Sequence, residues 1–406
     1  MKTDRVLLIV GQDMQLAPYM RIEYFVRFLA KRFVEVDLIS VTKMYDGPGT
    51  DPALKKGILG IRDLLFKPVK TICAGNVTNH IVRFPRTPLV VDYLARDFWS
   101  YASLGNRLDH HYDVCILQHP RLAYVAMRLK AQGKVDALIY EDWDYFAGEF
   151  ANIPFWHRLM NRRERICVRK ADGVVSVSTS LEALRKRQGA RDTGVVSNGV
   201  DYALFKMAQQ KKPHAPTLLY MGTLGKQWGA DLPIRALPLI QEILPDVRYV
   251  VLGAGSEEDR LRDMTSKLSL DDSVCFLGKQ RYRDLPRFLA EADIGVAMSW
   301  DSEFRRYSCP LKIFEYMAAG LPVIGSQSGE TKSIIERAKA GRTVEFSEQA
   351  FAAAAIDLLT NRSEYDVCST NAAAFARAYD WERLFDQEFA FIGQVAQSVT
   401  RRMDRA

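Results

Sequence analysis

Short runs of β-branched and other apolar residues recur along the chain, at 6–10, 36–41, 114–117, 137–140, 173–178 and 193–197. Between several of them apolar residues return every three or four positions, as at 21–31 and 181–188. These two periods predict strands and amphipathic helices. After a polar gap the rhythm restarts. Strands are predicted at 217–221, 247–253, 273–277, 293–297 and 322–326, and helices at 233–243, 257–268, 285–291, 310–319 and 331–338. Strands alternating with helices give βαβ units and parallel sheets, so two such runs predict two doubly wound α/β domains. The seam is placed at 205–216, FKMAQQKKPHAP, which is polar and carries two prolines. The expected division is 1–205, 206–378 and an amphipathic terminal helix within 379–406, whose end, TRRMDRA, reads as frayed.

Composition narrows the class. Of 406 residues, 48% are hydrophobic and 26% charged, which fits a globular chain and excludes disorder or fibrous repeats. No apolar run approaches the roughly 18–20 residues that span a bilayer. The opening, MKTDRVLLIVGQD, is too short in its apolar part for a secretory leader and reads as a first strand. Six cysteines lie scattered without CxxC or Cys/His ligand spacing, which argues against zinc and disulfides and for a reducing cytoplasm. The net charge of +7 is uneven: residues 1–201 hold 30 Lys+Arg against 22 Asp+Glu, and 202–406 hold 26 against 27. A basic half suits nucleic acid, anionic lipid or a phosphorylated substrate. No nucleic-acid module pattern occurs.

The most informative stretch is 308–324, SCPLKIFEYMAAGLPVI. Ser308 or Cys309 can cap a helix with Pro310 in its first position, Gly320 can end it, and Pro322 can open the next strand. The N-terminus of such a helix offers free N–H groups and a positive dipole end to an anion. Lys312 in the first turn opposes the dipole unless an anion lies between, and Glu315 one turn on can accept both hydroxyls of a ribose diol. A surface Lys–Glu pair on a well-capped helix is the plainer alternative.

This segment resembles the C-terminal signature of the group 1 retaining glycosyltransferases, P-x-K-x-F-E-Y-M-A-x-G-x-P-V-I. Further stretches match that family in order: DGVVSVS at 172–178, VSNGVDYALF at 196–205, YMGTL at 220–224, VVLGAG at 250–255, FLG at 276–278 and ADIGVA at 292–297. The resemblance is close over 165–345 and looser before it. It implies the GT-B fold, two Rossmann-like domains facing across a cleft, with the acceptor on the first, a nucleotide diphosphate sugar on the second, and the last helix packing back on the first. It further implies that Glu315 binds the donor ribose and that Lys312 and the backbone at Ser308, Cys309, Pro310 and Leu311 hold the diphosphate. Gly222, Thr223 and Leu224 would form the glycine-rich loop, and the backbone around Lys279 and Arg281 would face the base. The chain departs from the family in having Tyr307 where relatives carry a first glutamate, and Thr223 and Trp228 where they carry Arg and Lys. Asp301 and Glu303 are nearby carboxylates, and Lys226, Arg305 and Arg306 nearby cations.

Other motifs have competing readings. VLGAG at 251–255 lacks the third glycine of a dinucleotide fingerprint, and Glu257, Glu258 and Asp259 would repel a pyrophosphate. Asp142 and Asp144 form a DxD that could chelate a metal, but are read as an acceptor-side loop after a strand. His119 follows the strand 114–117; the resemblance places it near the acceptor and the transferred sugar, while loop capping is the plainer role. Arg158, Arg162, Arg163, Arg165, Arg169 and Lys170 follow Phe155 and Trp156, a pattern that suits an anionic membrane surface as well as a solvated helix face.

The sequence reading is therefore a retaining, metal-independent glycosyltransferase without cofactor. Its partners would be a nucleotide-sugar donor and a glycan or lipid-linked acceptor, at the inner face of the plasma membrane. Catalytic roles fall on His119, Lys312 and Glu315, and donor binding also on Lys226 and Tyr307. A GT-B nucleotide-sugar epimerase and a non-catalytic nucleotide-sugar binding module are the alternatives.

Overall fold

Runs of apolar residues with no polar alternation belong to strands covered on both faces, and they form the centre of each of the two sheets here. The computed structural model describes residues 5–11, 20–43, 69–84, 89–210 and 214–404. The chain divides into two units, Met1–Val196 with Phe385–Ala406, and Ser197–Leu384.

In the first unit, β1 (Arg5–Ile9), β2 (Glu35–Lys43), β3 (Val69–Ala74), β4 (Val77–Phe84), β5 (Tyr112–Leu117), β6 (Val135–Asp142), β7 (Gly173–Ser176) and β8 (Asp192–Val195) make one sheet. Its order is β3-β4-β2-β1-β5-β6-β7-β8, parallel throughout except for β3 against β4. The winding reverses between β1 and β5. The sequence reading missed the β3–β4 hairpin. Its signal was Gly75–Asn76 between two runs of β-formers: Gly75 has φ +62°, as the first central residue of a tight hairpin turn requires. Asn76 donates to the carbonyls of Ala30 and Phe33, tying the turn to the preceding helix.

The second unit holds β9 (Thr217–Met221), β10 (Arg248–Leu252), β11 (Val274–Gly278), β12 (Ile294–Ala297), β13 (Val323–Ser326) and β14 (Gly341–Val344). Their order, β11-β10-β9-β12-β13-β14, is all parallel and reverses between β9 and β12. Loops at the carboxyl ends of strands flanking such a reversal are where open α/β sheets place ligands. β9 is buried along its whole length, and helices Asp231–Gln241 and Glu348–Thr360 contribute apolar faces to the core around it.

The boundary falls at 196/197, earlier than the expected 205/206. Val196 still donates to the Ser176 carbonyl of the first sheet, whereas Asn198 donates to the Cys309 carbonyl of the second unit. Phe205 then packs on Tyr282 at 5.2 Å, so the polar 205–216 stretch connects elements of one unit. Residues 211–213 of that stretch lie outside the described residues, as do 1–4 and 12–13 of the opening segment and the last two of TRRMDRA. Helix Trp381–Met403 carries the chain back to the first unit. There Phe385 meets Phe25 and Phe28 at 4.9 and 5.5 Å, and Phe389 meets Phe33 at 5.8 Å. Arg21, fully enclosed, joins three elements by bonding Glu141 at 2.8 Å and Glu388 at 3.0 Å. Among the described residues no helix is long and apolar enough to cross a membrane.

Candidate functional site

The helix of the 308–324 motif spans Leu311–Ala318. Its start differs from expectation. Pro310 is the N-cap itself, with φ −69° and ψ 123°, and no side chain caps it. Ser308 instead ends the preceding helix Glu303–Tyr307 and donates to the Arg305 carbonyl at 3.4 Å, while the Cys309 thiol lies 3.3 Å from the Ser197 hydroxyl. Two helices thus meet at an extended corner, and the second opens without a capping side chain at its N-cap. Its other end follows the pattern: Gly320 has φ +71°, and Gly320 and Leu321 donate to the carbonyls of Met317 and Tyr316, a Schellman closure.

Lys312 rises from the first turn to lie 3.9 Å from the centre of the Tyr220 ring. It needs Gly222: a Cβ there would sit 3.1 Å from the lysine Nζ. Gly222, at φ +141°, leaves β9 and donates to the Leu252 carbonyl at 2.9 Å, and the Leu224 amide donates to Ala254 at 3.1 Å. The loops after β9 and β10 therefore touch backbone to backbone. A Cβ on Gly253 would overlap the Gly222 carbonyl oxygen, and one on Gly255 would overlap that of Leu224. This explains the glycines of VLGAG as close-packing residues, with no need of a dinucleotide.

Glu315, only 7% exposed, accepts a hydrogen bond from the Tyr282 hydroxyl. It is not a surface residue, so the plain surface-pair reading of Lys312 and Glu315 fails. Burial lifts the Glu315 carboxyl to about 7, against the opposing pull of Lys312 and Tyr282. Burial, reinforced by Arg305, pushes the Lys312 ammonium down to about 7, against the pull of Glu315. Groups of opposite type brought to the same range near neutrality mark a site that an arriving anion would re-equilibrate.

The remaining candidates divide. Trp228 occupies the glycine-rich loop, bracketed by Gly225, where a Cβ would press on the indole, and by Gly229 at φ +65°. The Arg305 guanidinium stacks on that indole at 3.4 Å. Thr223 contributes its carbonyl to the Tyr220 hydroxyl at 2.8 Å. Lys226 and Lys279 are exposed, and Arg281 is 87% exposed and paired with Asp284 at 2.7 Å, so their side chains do not join the Lys312 cluster. The sequence reading passed over Tyr282, the neighbour that does reach Glu315; its only signal was a tyrosine just beyond β11. Tyr307 closes helix Glu303–Tyr307, half-buried. Asp301 is taken by Arg306 at 2.9 Å.

In the first unit, His119 stands at the carboxyl end of β5, its ring 4.4 Å from Phe146. Gly11, just beyond β1, gives it room: a Cβ at residue 11 would lie 2.5 Å from the imidazole. The ring caps the turn Pro120–Leu122, its Nδ1 accepting the Arg121 amide at 3.1 Å. Burial, then Arg121, Arg96 and Arg163, hold its pKa well below the usual histidine range. It is thus neutral, with Nδ1 accepting and its proton on Nε2. The acceptor-side reading of Asp142 needs correction. Asp142 is fully buried and forks onto Arg185, at 2.6 Å and 3.0 Å, with Glu164 on the same guanidinium at 3.0 Å. Both its oxygens are engaged in the interior, so it does not form with Asp144 a pair that faces one ligand. Among the described residues no group of three His, Cys, Asp or Glu side chains could hold a metal ion.

Two doubly wound halves, with these loops at the switch of the second, define the GT-B architecture. Comparison with solved structures agrees on the fold: sucrose-phosphate synthase from Thermosynechococcus elongatus superposes with a TM-score of 0.74 at 18% identity, covering 99% of this chain and 100% of that one. Anabaena HepE in complex with UDP gives 0.66 at 17% identity, covering 99% and 100%. The family profile described as Glycosyl transferases group 1 matches residues 203–375, and that described as Glycosyltransferase Family 4 matches 20–204. The chain belongs to the group 1 glycosyltransferases. A curated relative, the amylovoran biosynthesis glycosyltransferase AmsK of Erwinia amylovora, is 27% identical over 214 residues, 52% of this chain and 51% of that protein. The chain spans about half the length of the first curated relatives it matches.

Proposed function

We propose that this chain transfers a glycosyl group from a nucleoside diphosphate sugar to an acceptor hydroxyl, with retention at the anomeric carbon and without a metal ion. The observation that carries this reading is Lys312, at the start of a helix without a side-chain cap, meeting the glycine loop at the sheet reversal of the second unit, with Glu315 buried one turn on. The C1–O bond to the diphosphate breaks, a C1–O bond to the acceptor forms on the same face, and the hydroxyl proton passes to the leaving phosphate oxygen. Charge gathers on that phosphate as the bond breaks. The Lys312 ammonium and the first amides of its helix are placed to take it, and one preorganised contact of this kind contributes about 3–4 kcal/mol. Glu315, steadied by Tyr282, accepts the ribose hydroxyls. The first unit holds the acceptor, and His119, neutral and with its proton on Nε2, donates to it or to the passing sugar.

HepE was crystallised with UDP, which makes uridine diphosphate sugars the first donors to try. Screening UDP-, GDP- and ADP-sugars for thermal stabilisation identifies the donor, since a ligand bound to the folded state raises its apparent stability. Nucleoside diphosphate release with acceptor present then separates transfer from epimerisation and from binding alone. Lys312→Ala should lower release about 10²–10³-fold with the fold intact. Near-normal turnover in that variant overturns the assignment, and inhibition by EDTA overturns metal independence.

The acceptor is proposed to be lipid-linked and met at an anionic membrane surface. Arg158, Arg162, Arg165 and Arg169 lie along one face of helix Pro154–Lys170 and, with Asn161 and Ile166, line a groove of about 530 Å³. Among the described residues none of these arginines pairs with a carboxylate, and Ile153 and Phe155 stand exposed at the start of the helix. Unpaired cations beside exposed apolar side chains suit anionic headgroups. Co-sedimentation with phosphatidylglycerol vesicles should fall on reversing Arg162 and Arg165 to Glu; unchanged binding rejects the membrane face.

A further inference from the structure

We infer that Arg305, lying on the Trp228 indole, is a second cation for the diphosphate group of the donor, supplied from a different element than Lys312. The inference rests on the donor-site reading above. Its ground is a convergence of charge. The Arg305 guanidinium lies 3.4 Å from the centre of the Trp228 ring, and the Lys312 Nζ lies 5.9 Å from the same ring. Arg305 is 8% exposed and Lys312 only partly exposed, so the two cations share one sheltered place. Aromatic faces stabilise such cations only in part. Their mutual repulsion is felt in the lowered basicity of Lys312, and a ligand with at least two negative charges relieves it.

The backbone at Arg305 is fixed from three sides. Its amide donates to the Ser302 hydroxyl at 3.2 Å, and its carbonyl receives the Ser308 hydroxyl at 3.4 Å. Gly329, at φ +56°, brings its α-carbon so close that a Cβ would stand 2.9 Å from the Arg305 carbonyl oxygen. The guanidinium is therefore presented by a rigid corner rather than by a wandering side chain, and the residue that shelters it, Trp228, is itself seated between Gly225 and Gly229. Arg306 differs in exposure: its side chain is 61% exposed and lies 2.9 Å from Asp301. Among the described residues, Arg305 and Lys312 are the two cations near the Trp228 ring.

The expected signature is a preference for diphosphate over monophosphate, because the second cation reaches the terminal phosphate. Calorimetric titration of the full chain with UDP and UMP, and with the GDP/GMP and ADP/AMP pairs, reads it directly. Arg305→Gln should weaken diphosphate binding about tenfold or more, the worth of one charged hydrogen bond, and leave monophosphate binding within about threefold. Arg306→Gln should change neither. Trp228→Lys added to Arg305→Gln should restore much of the diphosphate affinity, since it places an ammonium where the guanidinium lay. If Arg305→Gln binds diphosphate as the wild type does while Lys312→Ala does not, the inference fails and the donor site stands. Equal weakening toward both phosphates makes Arg305 merely structural and also overturns it. If the wild type binds no nucleoside diphosphate, the donor-site reading falls and takes this inference with it. Should Arg305→Gln fail to fold, Arg305→Lys carries the test. Keeping the charge as a single ammonium in place of the planar fork, it should retain most of the preference for diphosphate over monophosphate, and losing the whole preference counts against the inference.

Discussion

Glu315→Gln isolates the electrostatics of the site. The change keeps shape and one acceptor for Tyr282 but removes the charge. The Glu315 carboxyl is lifted from 4.5 to about 7 in the folded chain, which corresponds to about 3 kcal/mol against the carboxylate. Below pH 4.5 the carboxyl is protonated in both folded and unfolded chains, and wild type and variant should melt together. As pH rises from 4.5 toward 7 the unfolded chain releases its proton while the folded chain retains it, so the wild type loses stability that the variant keeps. Above 7 the difference levels off. Losing Glu315 also withdraws support from the Lys312 ammonium, so the gain of the variant is at most about 3 kcal/mol, or roughly 6–12 °C for a unit of this size. Scanning calorimetry of the ligand-free chain from pH 4.5 to 8.5 measures it. A difference that does not vary with pH, or a wild type that outlasts Glu315→Gln at pH 8, refutes the reasoning. The same variant should bind nucleotide less well, so that stability and ligand affinity move in opposite directions.

Three further outcomes are expected. Asp142→Ala leaves the enclosed Arg185 with one carboxylate, Glu164, beside the Gln188 amide, and should cost about 3–5 kcal/mol in chemical denaturation, the loss expected for breaking a buried pair. Gly253→Ala forces a methyl group into the Gly222 carbonyl oxygen and should abolish nucleotide binding or soluble expression, whereas Gly393→Ala, which meets nothing within 4 Å, should be silent in both. His119→Ala should slow transfer to acceptor while leaving calorimetric nucleoside diphosphate affinity unchanged, because the residue belongs to the first unit.

Much of this arrangement could be read from residue order. Continuous apolar runs located β1, β5, β6, β7, β9, β12 and β13, since a strand covered on both faces has few polar positions to confuse its period, and β2, β8, β10 and β11 followed from the alternation of strands with helices. Gly320 was legible as a helix stop, because only a positive φ serves there. The weaker strands escaped: β3, exposed along much of its length, lacks a buried face, and β14 is only half-buried. The cap at Pro310 was misplaced by one residue because Ser308 satisfies a different helix, a fact of tertiary packing. Asp142 looked like a ligand because nothing near it in sequence announces Arg185, 43 residues on. Tyr282 was unassigned, and Arg305 was left undistinguished from Lys226 and Arg306, for the same reason: proximity to Glu315 and Lys312 arises from elements apart in sequence.

The first unit is built from two stretches of chain, and the second is threaded between them as one uninterrupted piece. During synthesis, Phe385, Glu388 and Phe389 leave the ribosome only after every residue of the second unit has done so. Until then Arg21 and the aromatic rings of helix Met20–Arg32 wait without part of their partners. The half made first is thus the half completed last, and a chain ending at residue 384 would carry every residue of the second unit beside an incomplete first.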